Sequence, residues 1–244
     1  MLAKVADAAA STRTAGVAAI GFALLIVAAN LVVVPAGMPS PGAPASEAIE
    51  FFTTADQPTG TIAVFLPAAW ILASVFAGGA VAAVLRASTR APAGAAYAGF
   101  AGVLLQNAVF TVVVALRLAM SALDDPDQLR TLWAVHEALF GFNGTFLALA
   151  MLGLGTAGYG AGILGRWRFL LGILGAALQF ASASLTSLIA TGHDRLSVLG
   201  LLGWLLWVVW LIGYGVALIR RSEPARGDAP DPGTPRKRES AHPA

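Results

Sequence analysis

Runs of about 20 apolar residues recur along this chain, separated by short stretches that hold nearly all of its charge. At a rise of about 1.5 Å per residue, one such run in helical form crosses a hydrocarbon core about 30 Å thick. Only 11% of the residues are charged and 57% are hydrophobic, whereas an average soluble domain carries about 25% charged residues. So few charges cannot clothe a water-facing surface on a chain of 244 residues. The expected fold class is all-α, a polytopic membrane helix bundle.

Six transmembrane helices are expected, at about 15–34, 61–85, 96–121, 131–158, 169–190 and 197–219. They make one transmembrane domain, 15–219, between a cytoplasmic N-terminal segment, 1–14, and a cytoplasmic tail, 220–244. The tail is rich in proline and charge and poor in large apolar residues, so it reads as disordered. Lys4 and Arg13 before the first run, with small residues at Pro44-Ala45-Ser46, also fit a secretory signal. The run is longer than the roughly 7 to 15 residues of a signal core, which favours a retained first helix ended by Pro35. Ala45 to Thr54 is expected to form a short interfacial helix that sets Ile49 and Phe52 against lipid. Ala91-Pro92-Ala93-Gly94 makes a turn, and Asp127 is expected as N-cap or first-turn acid of the fourth span.

Charge fixes an orientation. In a six-span arrangement Lys4, Arg13, Arg86, Arg90, Arg166, Arg168 and the basic residues of the tail share one side. The other side holds Arg130 and Arg195 beside Glu47, Glu50, Asp56, Asp124, Asp125, Asp127 and Asp194. Basic loops stay in the cytoplasm, so the chain is expected N-in and C-in, as a multi-pass protein of a bacterial inner membrane. A five-span or seven-span arrangement would scatter the basic clusters over both sides.

Glycines pair along the helices at Gly99 and Gly102, Gly141 and Gly144, Gly158 and Gly162, Gly172 and Gly175, and Gly200 and Gly203. Water does not drive helix association in lipid, so close backbone approach must, and these glycines are read as packing seams. No internal repeat is evident, which leaves an inverted-repeat transporter plan without support.

The informative polar residues lie within apolar runs, where each needs a partner. Arg117, His136 and Glu137 fall at one depth in the outer half of the third and fourth spans. Gln106, Asn107, Asn143 and Gln179 lie nearer the midplane. At about 100° per residue Gln106 and Arg117 share a face, as do His136 and Asn143. The natural partner of Arg117 is Glu137, with His136 adjacent. One function follows if these residues line an outward-facing pocket that binds or passes a small polar solute, an anion or a proton. The alternative is a structural or regulatory protein in which they bracket the helices and the partner is another membrane protein. Beyond the lipid bilayer and these two, no partner is implied.

Other chemistries find little in the sequence. Cysteine is absent, which removes disulfides, thiolate metal sites and thiol nucleophiles. His136 is the one histidine inside an apolar run, so neither a bis-histidine haem nor another cofactor is expected from a single chain. A metal site at His136 and Glu137 lacks a third strong ligand at matching depth. No His-Glu-x-x-His, Gly-x-Ser-x-Gly or phosphate loop is present, so an intramembrane enzyme using His136 and Glu137 is the weakest reading. A net charge of +2, with basic residues at helix ends, gives nucleic-acid binding no footing.

From Leu132 to about Ala181 the chain carries His136 and Phe140 four apart, Gly144, a glycine-rich turn, and then Gly165-Arg166-Trp167-Arg168-Phe169-Leu170-Leu171-Gly172. This resembles the C-terminal half of a family of six-helix bacterial membrane proteins of unknown function. That family often has a proline beside the basic residue of the turn, and this turn has none. The resemblance implies a six-helix fold and no particular chemistry. The bias to alanine, glycine and arginine resembles that of high-GC actinobacteria.

Overall fold

A computed structural model describes residues 2–54, 58–87 and 92–222. Asp56, the basic Arg90 of the second turn and the tail beyond 222, read above as disordered, lie outside the described residues. The described chain is helical and contains no strand: α1 (Leu2–Val33), α2 (Ala45–Thr53), α3 (Thr59–Ala63), α4 (Leu66–Ala87), α5 (Ala93–Met120), α6 (Pro126–Gly160), α7 (Arg166–Ser184), α8 (Thr186–Ala190) and α9 (Ser197–Ser222). Five stretches are long and apolar enough to cross a membrane: Asp7–Val33, Thr59–Ala87, Ala93–Met120, Pro126–Gly160 and Ser197–Ser222. Large apolar residues also face outward around the bundle, including Leu31, Val64, Ile71, Phe180 and Val209. Such a surface suits lipid and not water.

The six long helices close into a ring in chain order. Helix α1 packs on α4, α4 on α5, α5 on α6, α6 on α7, α7 on α9, and α9 returns to α1. The middle of the ring is filled. Phe76 of α4, Met151 and Leu154 of α6, and Trp210 and Tyr214 of α9 are all essentially inaccessible. Tyr214 meets Phe76 and Trp210 edge to face at 5.4 and 5.3 Å, and its hydroxyl donates to the Leu154 carbonyl at 3.3 Å. Each buried aromatic ring removes a large apolar area and edge-to-face contacts add to that, so this layer acts as a plug.

Local boundaries differ from the sequence reading for physical reasons. Helix α1 continues back to Leu2, because residues 2–14 are alanine-rich and contain no breaker. Its Thr12 hydroxyl accepts from Arg86 Nη2 at 3.0 Å, tying the basic ends of α1 and α4 together. The cap of α6 is Asp125, whose carboxylate accepts from the N–H groups of Asp127 and Gln128. Pro126 follows at the first helical position, where its missing N–H costs nothing. Asp127 is a first-turn acid that pairs with Arg130 at 2.7 Å on the exposed surface. The fifth expected span is a helix of 19 residues, α7, that bends at Leu185 into α8. Ser184 Oγ donates to the Phe180 carbonyl there, competing with the helical ladder.

The paired glycines form seams except Gly162, which has a φ of 67° and nothing within 4 Å of a would-be Cβ, and so serves the turn after α6 instead. A Cβ at Gly153 would stand 2.5 Å from Gly99 Cα, and one at Gly102 would stand 2.5 Å from Ala150 N, so α5 and α6 touch backbone to backbone. Gly78 of α4 has nothing within 4 Å of its would-be Cβ. Replacement at these two positions should therefore diverge. Gly153→Ala is expected to destabilise by roughly 1 to 3 kcal/mol through overpacking, whereas Gly78→Ala should be neutral or stabilise by up to about 1 kcal/mol. The folded fraction left after heating in mild detergent, read by size exclusion, checks both.

Candidate functional site

Helices α5 and α6 run antiparallel through a glycine seam, and that closeness brings Arg117 within reach of His136. Arg117 Nε donates to His136 Nε2 at 2.9 Å. An accepting Nε2 places the imidazole proton on Nδ1. That atom lies 3.4 Å from Glu137 Oε1, a contact too poorly aligned to count as a hydrogen bond. The other carboxylate oxygen, Oε2, accepts from the backbone N–H of Gly42 at 2.6 Å. The result is a line from guanidinium to imidazole to carboxylate to the loop after α1, with opposite charges flanking a neutral ring.

The imidazole at its centre is buried, while Arg117 and Glu137 keep partial exposure. His136 is 2% exposed, and its ring stacks on Trp133 at 4.8 Å and on Phe140 at 5.9 Å, both nearly parallel. The guanidinium carbon of Arg117 sits 5.8 Å from the Phe140 ring centre, within cation–π range. Above lies an apolar cap: Ala48, Phe51 and Phe52 of α2 pack with Met120, Leu129 and Trp133. Helix α2 was expected to set Ile49 and Phe52 against lipid, but Phe52 is 3% exposed and its ring packs on Trp133. Its apolar face covers protein instead, because the ends of α5 and α6 offer a hydrophobic surface at the same level. The cavity beside Arg117, bordered by Met38, Leu66 and Val114, measures about 20 Å³, room for about one water.

The seven residues singled out from the sequence fall into separate groups. Arg117, His136 and Glu137 come together, with the imidazole between the two charges; among the described residues Arg117 makes no direct ion pair with Glu137. Asn107 does not join them. It turns toward α4, where its Nδ2 donates to the Trp70 carbonyl at 3.3 Å. Gln179 of α7 donates from Nε2 to the Gly200 carbonyl of α9 at 3.3 Å, and its approach to α6 depends on Gly144, where a Cβ would stand 2.9 Å from the Gln179 carbonyl oxygen. Asn143 and Gln106 are buried, and Asn143 Oδ1 has no hydrogen-bond partner. Among the described residues no group of three His, Cys, Asp or Glu side chains is placed to hold a metal ion.

Sequence reasoning missed the docking of the 36–44 loop, because the group that meets Glu137 is a backbone N–H. Gly42 itself was the available signal. Its φ of 85° is a left-handed conformation that favours glycine. Trp133 adds a second tie, donating from Nε1 to the Ala43 carbonyl at 3.4 Å.

No family model matches this chain, and neither a curated protein nor a solved structure is similar to it.

Gly42→Ala is expected to cost roughly 1 kcal/mol or more, since alanine at a positive φ is strained, and to loosen the cap. Limited proteolysis in detergent would show it as faster cleavage within 36–44, with the ring helices left intact.

Proposed function

We propose that this chain is a six-span protein of a bacterial cytoplasmic membrane, with both termini inside, whose Arg117–His136–Glu137 line is a bracket that locks an extracytoplasmic cap onto the bundle. On this reading the line holds the helices and the cap together instead of lining a path for a solute, and the partner is another membrane protein. The observation that carries this reading is the 2.6 Å hydrogen bond from Gly42 N–H to Glu137 Oε2, made beside the apolar cluster that α2 forms with the ends of α5 and α6. A solute pocket would leave these polar atoms facing an open volume, and the space beside Arg117 holds about one water.

The six-span arrangement is supported by the ring. Helix α7 is flanked by α6 and α9, and residues 166–190 together have the length of the other spans even though α7 alone is short. The orientation is supported by the clustering of basic residues at one end, where Arg86 bonds Thr12 and Arg221 donates to the Ala161 carbonyl.

The absence of cysteine makes the test clean, because any introduced thiol is the only one. In intact cells a membrane-impermeant thiol reagent should label Glu47→Cys, and should reach Arg13→Cys only after permeabilisation. His136→Cys and Gln106→Cys should stay unlabelled under conditions that saturate Glu47→Cys. Labelling of His136→Cys at a comparable rate would mean an open polar pocket and would defeat the bracket.

Removing the Glu137 carboxylate takes away the acceptor of the Gly42 N–H and the negative end of the line, a loss of roughly 1 to 3 kcal/mol. Glu137→Ala should therefore lower the yield of folded protein, and Arg117→Leu added to it should cost less than the sum of the two alone. Thermal unfolding of the single and double variants gives the coupling; strict additivity would show that the two charges ignore each other.

A further inference from the structure

At the basic end of the bundle, Arg86 is tied to the Thr12 hydroxyl and Arg221 to the Ala161 carbonyl. Two guanidinium groups at the crevice between α7 and α9 are not tied. The stem of Arg168, on α7, lies along α9 at Gly213, where a Cβ would stand 3.4 Å from Arg168 Cδ and 3.5 Å from Nε. Arg220 follows Gly213 by two turns, on the same face of α9 and about 10 Å nearer its end. Arg168 is half-buried and Arg220 exposed. Among the described residues neither makes a hydrogen bond or an ion pair, and the acids that do pair, Asp127 and Glu137, lie at the opposite end. The carboxylate described at this end is Asp7, exposed on α1. Glu223 and the later acids of the tail lie outside the described residues.

The surroundings of these two cations change abruptly along the crevice. Aromatic residues flank Arg168 in sequence: Trp167 is 75% exposed, and Phe169 stacks on the half-exposed Tyr159 with ring centres 4.7 Å apart. Exposed tryptophan and tyrosine collect at the headgroup level of a bilayer. Farther along the same face of α9, away from the arginines, Val209 and Leu205 are exposed, so the wall below the charges is apolar. An arginine stem that follows such a surface carries its charge outward to the interface. The first turn of α7 contains no acid and no capping side chain, so its dipole adds to the positive potential.

We infer that Arg168 and Arg220 hold the phosphate of an anionic phospholipid whose acyl chains run down the crevice past Val209 and Leu205. Guanidinium groups match phosphate oxygens two at a time, and long side chains at two levels of one crevice can close on a phosphate from above and below. Two cations with no carboxylate between them call for a headgroup of net negative charge. A choline or ethanolamine headgroup brings its own cation and loses that advantage. An acidic peptide would set polar backbone against Val209 and Leu205, and free phosphate would leave that wall uncovered. The inference rests on the reading of residues 166–190 as a span, and it is independent of the bracket.

Native mass spectrometry of the full chain in detergent, with dioleoyl phosphatidylglycerol and dioleoyl phosphatidylcholine added in equal amounts, provides the test. The first lipid retained should be phosphatidylglycerol by about twentyfold, and Arg168→Gln and Arg220→Gln should each lower that preference about fivefold, one interfacial charge apiece. Arg168→Lys should keep most of it, and Arg13→Gln on α1 should leave it unchanged. Equal retention of the two lipids by the unmutated protein overturns the inference, whatever the folding of the variants. So does release of the bound lipid by excess inorganic phosphate, which would mean a site for a soluble anion, and so does a loss as large in Arg13→Gln, which would mean that the basic end attracts lipid as a whole. The span is read separately: in intact cells the impermeant thiol reagent should label His193→Cys and not Gly165→Cys. That pattern without a lipid preference defeats the lipid site alone, and its absence defeats the span.

Discussion

On helices surrounded by acyl chains a polar side chain has only other protein atoms to turn to, and most of this architecture answers that constraint. The partners found are mainly backbone groups. Glu137 takes the N–H of Gly42, Gln179 gives to the carbonyl of Gly200, Tyr214 to that of Leu154, and Asn107 to that of Trp70. A side chain reaches the backbone of a neighbouring element only where the elements nearly touch. This is why polar groups and glycines keep company here. Gly144 and Gly203 flank Gln179, and Gly158 makes room for the Tyr214 hydroxyl. The small residues therefore do two things at once: they let helices pack without a hydrophobic driving force, and they bring backbone acceptors within range of buried donors.

The outer cluster extends the same logic to charge. Bringing a guanidinium and a carboxylate out of water is expensive for each, and their attraction offsets the cost only with good geometry and additional hydrogen bonds. Here the two charges flank a neutral imidazole, the guanidinium sits near an aromatic face, and the carboxylate binds a backbone N–H. The cluster that α2 forms over Trp133 helps bury the imidazole at the centre of the line, where lower polarity strengthens the bond it makes. The lid and the charged line depend on each other: Phe52 and Trp133 need an apolar surface, and Glu137 needs the loop that carries the lid.

Much of this was legible in the chain. The helical class follows from run length, the seams from paired glycines, and the meeting of α5 and α6 at Arg117 and His136 from depth and azimuth. What escaped did so for definable reasons. Opposite charges drew Arg117 to Glu137, but counting charges cannot see that an imidazole one residue away lies nearer to hand. Asn107 follows Gln106 by a single step, a rotation of about 100°, so the two cannot face the same neighbour; sequence gives that angle but not which helix stands there. An amphipathic segment such as α2 has one apolar face whether that face meets lipid or protein. Only the surface presented by Met120, Leu129 and Trp133 decides between them.

The atoms left unsatisfied separate by location. Asn143 Oδ1, Trp210 Nε1 and His136 Nδ1 lack partners inside the packed ring, where Trp210 is held against the glycine backbone of Gly172. Nothing from outside reaches them, so their cost is borne by the packing that encloses them. Trp70 Nε1 and Asn107 Oδ1 belong to residues that border a groove on the perimeter, yet both atoms are as buried as the other three.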